Sequence, residues 1–213
     1  ARLMRDNGWE GTTRGCARRP KGTPRAAAPQ AGAAPDLVGR DFTADGPDEA
    51  RFAGIACVRA RRGWPCLALV MDIWPGRAVG WSMSDRMGAG LADEALRMAI
   101  ARGRPPAGCT RRSDHGSRYA SLRLGRTMRD NGIGPSMGAI SSPWDNAAME
   151  SLMGLVKAEC VHARAFESRG RAAPGIFEYI ECLYDRVRTH SALGYLCPEE
   201  FEARNRKGAA KAA

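Results

Sequence analysis

Long apolar runs are missing from this sequence. The longest, such as Leu67–Met71, fall far short of the about 18 residues that a membrane-crossing helix needs, and no run has the make-up of a secretory leader. Paired cysteines are missing as well. The seven (Cys16, Cys57, Cys66, Cys109, Cys160, Cys182 and Cys197) are odd in number, form no C-x-x-C pair and have no histidine at zinc-finger spacing. That pattern excludes a structural zinc site and a disulfide framework, and suits scattered thiols in a reducing cytoplasm. Acidic residues are the minority charge: 23 Asp and Glu against 33 Lys and Arg leave a net charge of +10. A surplus of this size points to a polyanionic partner, most simply nucleic acid. A coding bias towards Arg and Ala can supply part of it. No tandem repeat is visible. The pentapeptide Met-Arg-Asp-Asn-Gly at 4–8 and 128–132 is one helix-capping solution used twice.

What is present suffices for one sizeable domain with appendages: 213 residues, 44% of them hydrophobic. The opening Arg2-Leu3-Met4-Arg5-Asp6-Asn7-Gly8 has the form of a helix end, and residues 1–10 are read as a tail. Residues 11–45 are rich in Arg, Ala, Pro and Gly, too poor in large apolar groups to fold alone. This basic linker is either a phosphate-tracking arm or a solvated tether. Residues 46–204 form the core and 205–213 a disordered tail.

Within the core, strand-like runs cover Phe52–Arg59, Pro65–Asp72 and Arg77–Ser84, the last two joined by the hairpin turn Trp74-Pro75-Gly76. A helix over Leu91–Arg102, a strand over Ala107–Ser113, a helix over Tyr119–Asn131 and a short strand over Gly134–Met137 follow. Two more helices are expected at Trp144–Ala163 and Ile176–His190, with Pro174-Gly175 interrupting the start of the second. The order describes an α/β protein: three antiparallel strands, then alternating helices and strands, with helices on both faces of a mixed sheet.

Two carboxylates stand out. Asp114 closes a strand run in Ser113-Asp114-His115-Gly116-Ser117, and Glu150 lies in a helix-like run, 35 residues intervening (150 − 114 − 1). Asp before Gly is also an ordinary turn signal, and Glu150 alone would be an ordinary solvated helix residue. A carboxylate at a strand end and one on a helix face can converge on Mg²⁺, which takes hard oxygen ligands. Asn146 and Lys157 fall near Glu150 on the expected helix face, at i−4 and i+7 from it.

The segments Cys66–Asp72, Arg77–Ser84, Ser113–Tyr119, Trp144–Ser151 and His190–Tyr195 together resemble the core of an insertion-sequence transposase with a retroviral-integrase-like catalytic domain. The resemblance covers roughly residues 35 to 204, with the motifs in the family's order. It implies a ribonuclease-H-like fold and a metal-dependent centre of two Asp and one Glu. In that centre, Mg²⁺ or Mn²⁺, two ions in the family, would serve DNA cleavage and strand transfer. It assigns catalysis and metal binding to Asp114 and Glu150, and DNA contact to Asn146, Lys157, His115, Arg118, Arg188 and His190. It also implies a homo-oligomer on DNA, in a bacterial cytoplasm and associated with the nucleoid. In the family a helix-turn-helix precedes this region, so residues 1–10 would be its truncated end.

The family's first catalytic Asp stands on the opening strand. Anchoring on Ile55 and Val58 puts Gly54 at that position. The expectation is impaired catalysis with weakened metal binding, the alternative being a non-catalytic remnant that binds DNA or inhibits an intact transposase. Arg111 and Arg112 are either drift or a basic lip on the cleft, and Tyr184 is expected to pack on the core.

Overall fold

In the computed structural model, residues 43–103, 105–106, 108–113, 121–137 and 146–212 are described, all within the unit Ala33–Ala213. The strands are β1 (Ala50–Cys57), β2 (Cys66–Asp72), β3 (Arg77–Ser84), β4 (Thr110–Ser113) and β5 (Gly134–Met137). They form one sheet in the order β3-β2-β1-β4-β5, which makes β1 central. The pairs β1–β2 and β2–β3 are antiparallel, and β1–β4 and β4–β5 are parallel. The antiparallel pairs follow from short hairpin connections. The parallel pairs need crossovers, supplied by α1 (Ala89–Gly103) and α2 (Leu122–Asp130).

Every residue of β2 is buried, so it is covered on both faces. Ala68 and Val70 pack with Ala53 and with Leu91, Ala95, Leu96 and Ala99 of α1. Leu67, Leu69 and Met71 join Phe52 on the opposite face. That second face is covered by α3 (Ala147–Leu155) with its π-helical continuation Val156–Val161, and by α4 (Arg169–Phe177), continued as a π-helix through Tyr184. Gly80 lets β3 approach α1, since a Cβ there would lie 2.3 Å from the Ala95 carbonyl oxygen.

Local chemistry explains most boundaries. The Ser121 side chain caps α2 by accepting from the Leu124 N–H at 3.2 Å. The Asn-Gly signal ends it: Gly132 has φ +65°, and Ile133 N–H returns to the Met128 carbonyl at 2.9 Å. Gly76, at φ +67°, turns β2 into β3.

Three sequence expectations change. Pro174 does not block a helix start: α4 begins earlier, at Arg169, and carries Pro174 inside it. The about 3 kcal/mol such a proline costs is offset by the burial of Ala172, Ile176, Tyr179 and Ile180. The helix bearing Glu150 is not uniformly α-helical, because it widens to π geometry at Val156. The last helix, α5, runs Pro198–Ala212, through residues expected as a tail.

Candidate active site

Gly54 is paired with Leu69 in the central strand. Its missing side chain would point at α3: a Cβ there would lie 2.5 Å from Met149 Cγ, 3.2 Å from Met149 Sδ and 3.5 Å from Met153 Cε. Thioether and methyl groups fill the space beside Gly54. Glu150, the neighbour of the buried Met149, stands exposed in the first turn of α3. A carboxylate there is favoured by the helix dipole.

Asn146 precedes α3 and fastens it to the sheet. Its Nδ2 donates to the Ala53 carbonyl at 3.2 Å, one residue before Gly54. Its Oδ1 is buried without a hydrogen-bond partner among the described residues. The structure therefore brings Gly54, Asn146 and Glu150 to one end of α3. Lys157 lies beyond the transition to π geometry and is half-buried. Because a π-turn closes i→i+5 bonds, Lys157 does not keep the uniform α-helical spacing to Glu150.

Asp114, His115 and Arg118 lie outside the described residues. β4, whose last residue is Ser113, runs parallel to β1 with Phe52 opposite Arg112. Arg111 and Arg112 are both buried, at 2% and 1% exposure, so neither forms an exposed lip.

Arg188 and His190 belong to a side-chain network. Arg188 donates from Nε and Nη2 to Glu159 at 2.8–3.0 Å, and the Tyr179 hydroxyl donates to the same carboxylate at 2.8 Å. The Arg188 hydrogen bonds hold the Glu159 carboxyl below its usual range. The His190 ring meets the edge of Tyr184 at 4.9 Å, and its Nε2 is buried without a hydrogen-bond partner among the described residues. Burial pushes its imidazole towards the neutral form. Tyr184 is a core residue, as expected, with its hydroxyl donating to the Gly76 carbonyl at 3.1 Å.

Asp72 and Asp185, both away from Gly54, are buried, which sequence reasoning did not foresee. Asp72 accepts the N–H of Asp48 at 2.8 Å and that of Trp74 at 3.3 Å, and burial pushes its carboxyl up to about 6. It stands opposite Arg51, three residues along β1 from Gly54 or about 10 Å, in line with the α1 face, whereas Gly54 faces Met149 on the other side of the sheet. Asp185 accepts the Ala78 N–H at 3.0 Å, and burial pushes its carboxyl up to about 7. Nothing in local spacing announces either one, because a strand-end Asp and a helix-end Asp look solvated until their surroundings are known.

Among the described residues no group of three His, Cys, Asp or Glu side chains is placed to hold a metal. Glu150 and the orphaned Asn146 oxygen offer a polar edge, but Gly54 offers no donor and faces Met149. Among the described residues, the donors at this end of α3, Glu150 and Asn146, fall short of the three acids a two-ion centre of that kind requires.

A mixed sheet of three antiparallel and then two parallel strands, with a carboxylate-bearing helix fastened to the central strand, is the ribonuclease-H-like architecture of integrase catalytic cores. The HTLV-2 integrase catalytic core domain in complex with magnesium is similar, with a TM-score of 0.56 and 11% identity, over 74% of this chain and 97% of that one. A chain of a simian T-cell lymphotropic virus intasome gives a TM-score of 0.60 and 13% identity, over 74% of this chain and 55% of that one. At these identities the likeness concerns fold. Residues 44–143 and 131–198 match families described as Integrase core domain. The transposase for insertion sequence element IS904 of Lactococcus lactis subsp. lactis (strain IL1403) is 35% identical over 80% of this chain and 68% of its own length. Transposase InsF for insertion sequence IS3A of Escherichia coli (strain K12) is 39% identical over 170 residues, 80% of this chain and 59% of its own length. This chain belongs to the insertion-sequence transposases with an integrase core domain. It matches somewhat under two thirds of the InsF length. No helix among the described residues is long and apolar enough to cross a membrane.

Proposed function

We propose that the chain acts in DNA transposition as a DNA-binding integrase-like core whose phosphodiester chemistry is impaired at its first acidic position. The observation that carries this reading is Gly54, on the central strand, with Met149 against it and Glu150 one residue further on. In the family the reaction is a metal-dependent attack of water or a DNA 3′ hydroxyl on phosphorus. Two ions, where held, would stabilise the charge on the attacking and leaving oxygens. This chain lacks the acid that would bridge them, so no catalytic step is assigned to its residues. Asp114 and Glu150 remain its candidate ligands for one Mg²⁺ or Mn²⁺.

DNA binding is supported by the net charge of +10 and by family membership. Asn146, Lys157, His115 and Arg118 are its candidate contacts near Glu150. Arg188 and His190 are candidates whose side chains also serve the Glu159 and Tyr184 packing. The relatives named intasome and integrase suggest assembly on DNA as a homo-oligomer. Gly54 equally favours a second reading, in which the chain binds element ends or intact transposase subunits and performs no chemistry.

The test is a strand-transfer assay on element-end DNA with Mg²⁺ or Mn²⁺, beside a binding assay on the same DNA. Binding without strand transfer is the expected result. Strand transfer that survives Asp114→Asn would show that the site is wrongly assigned.

A further inference from the structure

The β1–β2 connection concentrates exposed cations around an exposed aromatic ring. Arg59, Arg61 and Arg62 are exposed, and Trp64 is 63% exposed. The loop is short and held in shape. Val58 N–H reaches the Pro65 carbonyl at 2.8 Å, and Ala60 N–H reaches the Gly63 carbonyl at 3.3 Å. It is also anchored to the chain beyond α3: Arg61 N–H donates to the Phe166 carbonyl at 2.8 Å and Arg62 N–H to the Glu167 carbonyl at 2.9 Å. Beneath it lies an open cavity of about 480 Å³, lined by Arg59, Ala60, Arg61, Val161, His162 and Phe166 among others.

Charge neutralisation within the patch is slight. Arg61 reaches Glu167 only at 3.5 Å with both side chains more than half exposed, a pair of little energetic weight. Arg59 and Arg62 make no ion pair among the described residues. An exposed Trp beside unneutralised guanidinium groups is costly to display and matches one chemistry well. Phosphates can be neutralised by the arginines while a base stacks on the indole. A duplex keeps its bases stacked on one another, so the ring favours an unpaired strand.

We propose that this hairpin is a binding site for unpaired single-stranded DNA, with backbone phosphates on Arg59, Arg61 and Arg62 and a base on Trp64. The inference rests on the DNA-binding reading above but concerns a different surface. His162 is twelve residues beyond Glu150 on the same continuous helix, under about 18 Å since the π-helical stretch Val156–Val161 rises less than the α-helical 1.5 Å per residue. An unpaired strand leaving the Glu150 end could therefore run along α3, past Lys157, to the hairpin.

The experiment measures binding of the full chain to a labelled oligonucleotide, single-stranded or duplex, across a salt series. Trp64→Ala should weaken single-strand binding about tenfold and duplex binding less than about twofold, and Trp64→Phe should keep most of the single-strand affinity. Replacing Arg59, Arg61 and Arg62 together by Ala should flatten the log–log salt dependence for the single strand by about two, at roughly 0.7 per phosphate contact. Equal losses on both DNAs in Trp64→Ala, or an unchanged slope in the triple variant, would overturn the site. So would variants that alter only self-association, since the patch would then be a protein interface. Failure of the unmodified chain to bind any DNA at low salt would instead overturn the broader DNA-binding reading.

Discussion

Met149 Cγ occupies the place a side chain on Gly54 would enter, 2.5 Å from the ideal Cβ position. The lack of a side chain at Gly54 and the packing of the Glu150 helix are thus one structural fact. Restoring the acid is not a simple addition, because inserting atoms into a filled interior costs typically about 1–3 kcal/mol.

Gly54→Asp alone should therefore lower thermal stability, and adding Met149→Ala should recover part of the loss. The double variant should bind Mn²⁺ or Mg²⁺ more tightly than the unmodified chain by calorimetric titration, and Asp114→Asn on top should abolish that gain. Equal stability of Gly54→Asp and the unmodified chain would show that Met149 swings aside freely. No metal gain in the double variant would count against Gly54 as the first ligand position.

Duplex DNA affinity should fall steeply between low and physiological salt. Removing residues 1–30, which carry Arg14, Arg18, Arg19, Lys21 and Arg25, should flatten the log–log slope by as much as about four. An unchanged slope would make the arm a tether.

Stability should depend on pH through two buried acids. Asp72 and Asp185 have folded-state values raised to about 6 and about 7 from 3.8. A raised carboxyl favours the native state in its protonated form, so its contribution is full below about 4 and is lost as pH rises through 6 to 7. Asp93 and Glu159 are shifted downwards, and their contributions are lost only as pH falls further. Denaturant melts should show stability falling from pH 5 to pH 7.5, on the order of 1–3 kcal/mol for each buried acid. The fall should be flatter in Asp72→Asn or Asp185→Asn. Stability that rises across that range would contradict the assignment.

Arg188→Ala removes the guanidinium that Glu159 shares with the Tyr179 hydroxyl. A loss of about 1–2 kcal/mol is expected, against a few tenths for Arg186→Ala, whose pair with Glu199 is exposed. If Arg188→Ala weakens DNA binding while the melt stays unchanged, its main role is contact with DNA.

Sequence alone sufficed for the succession of strands and helices along the chain, the Trp74-Pro75-Gly76 hairpin, the Asn131-Gly132 helix end and a helix bearing Glu150. These depend on local chemistry: the apolar residues of β1, the apolar run Cys66–Met71 in β2, and turn residues whose backbone preferences act within a few positions. The family resemblance drew attention to Gly54, since anchoring on Ile55 and Val58 sets it where the family has its first acid. What surrounds those residues came from the packing of distant segments. Met149 against Gly54, Asn146 on the Ala53 carbonyl, and the burial of Asp72, Asp185, Arg111 and Arg112 arise between elements far apart in sequence. The widening of the helix at Val156 and the passage of α4 through Pro174 were likewise set by packing across the sheet, where burial outweighs local propensity. A run such as Arg59–Trp64 gives its charge and its aromatic ring in the sequence, but its exposure and anchoring come from the chain at Phe166 and Glu167.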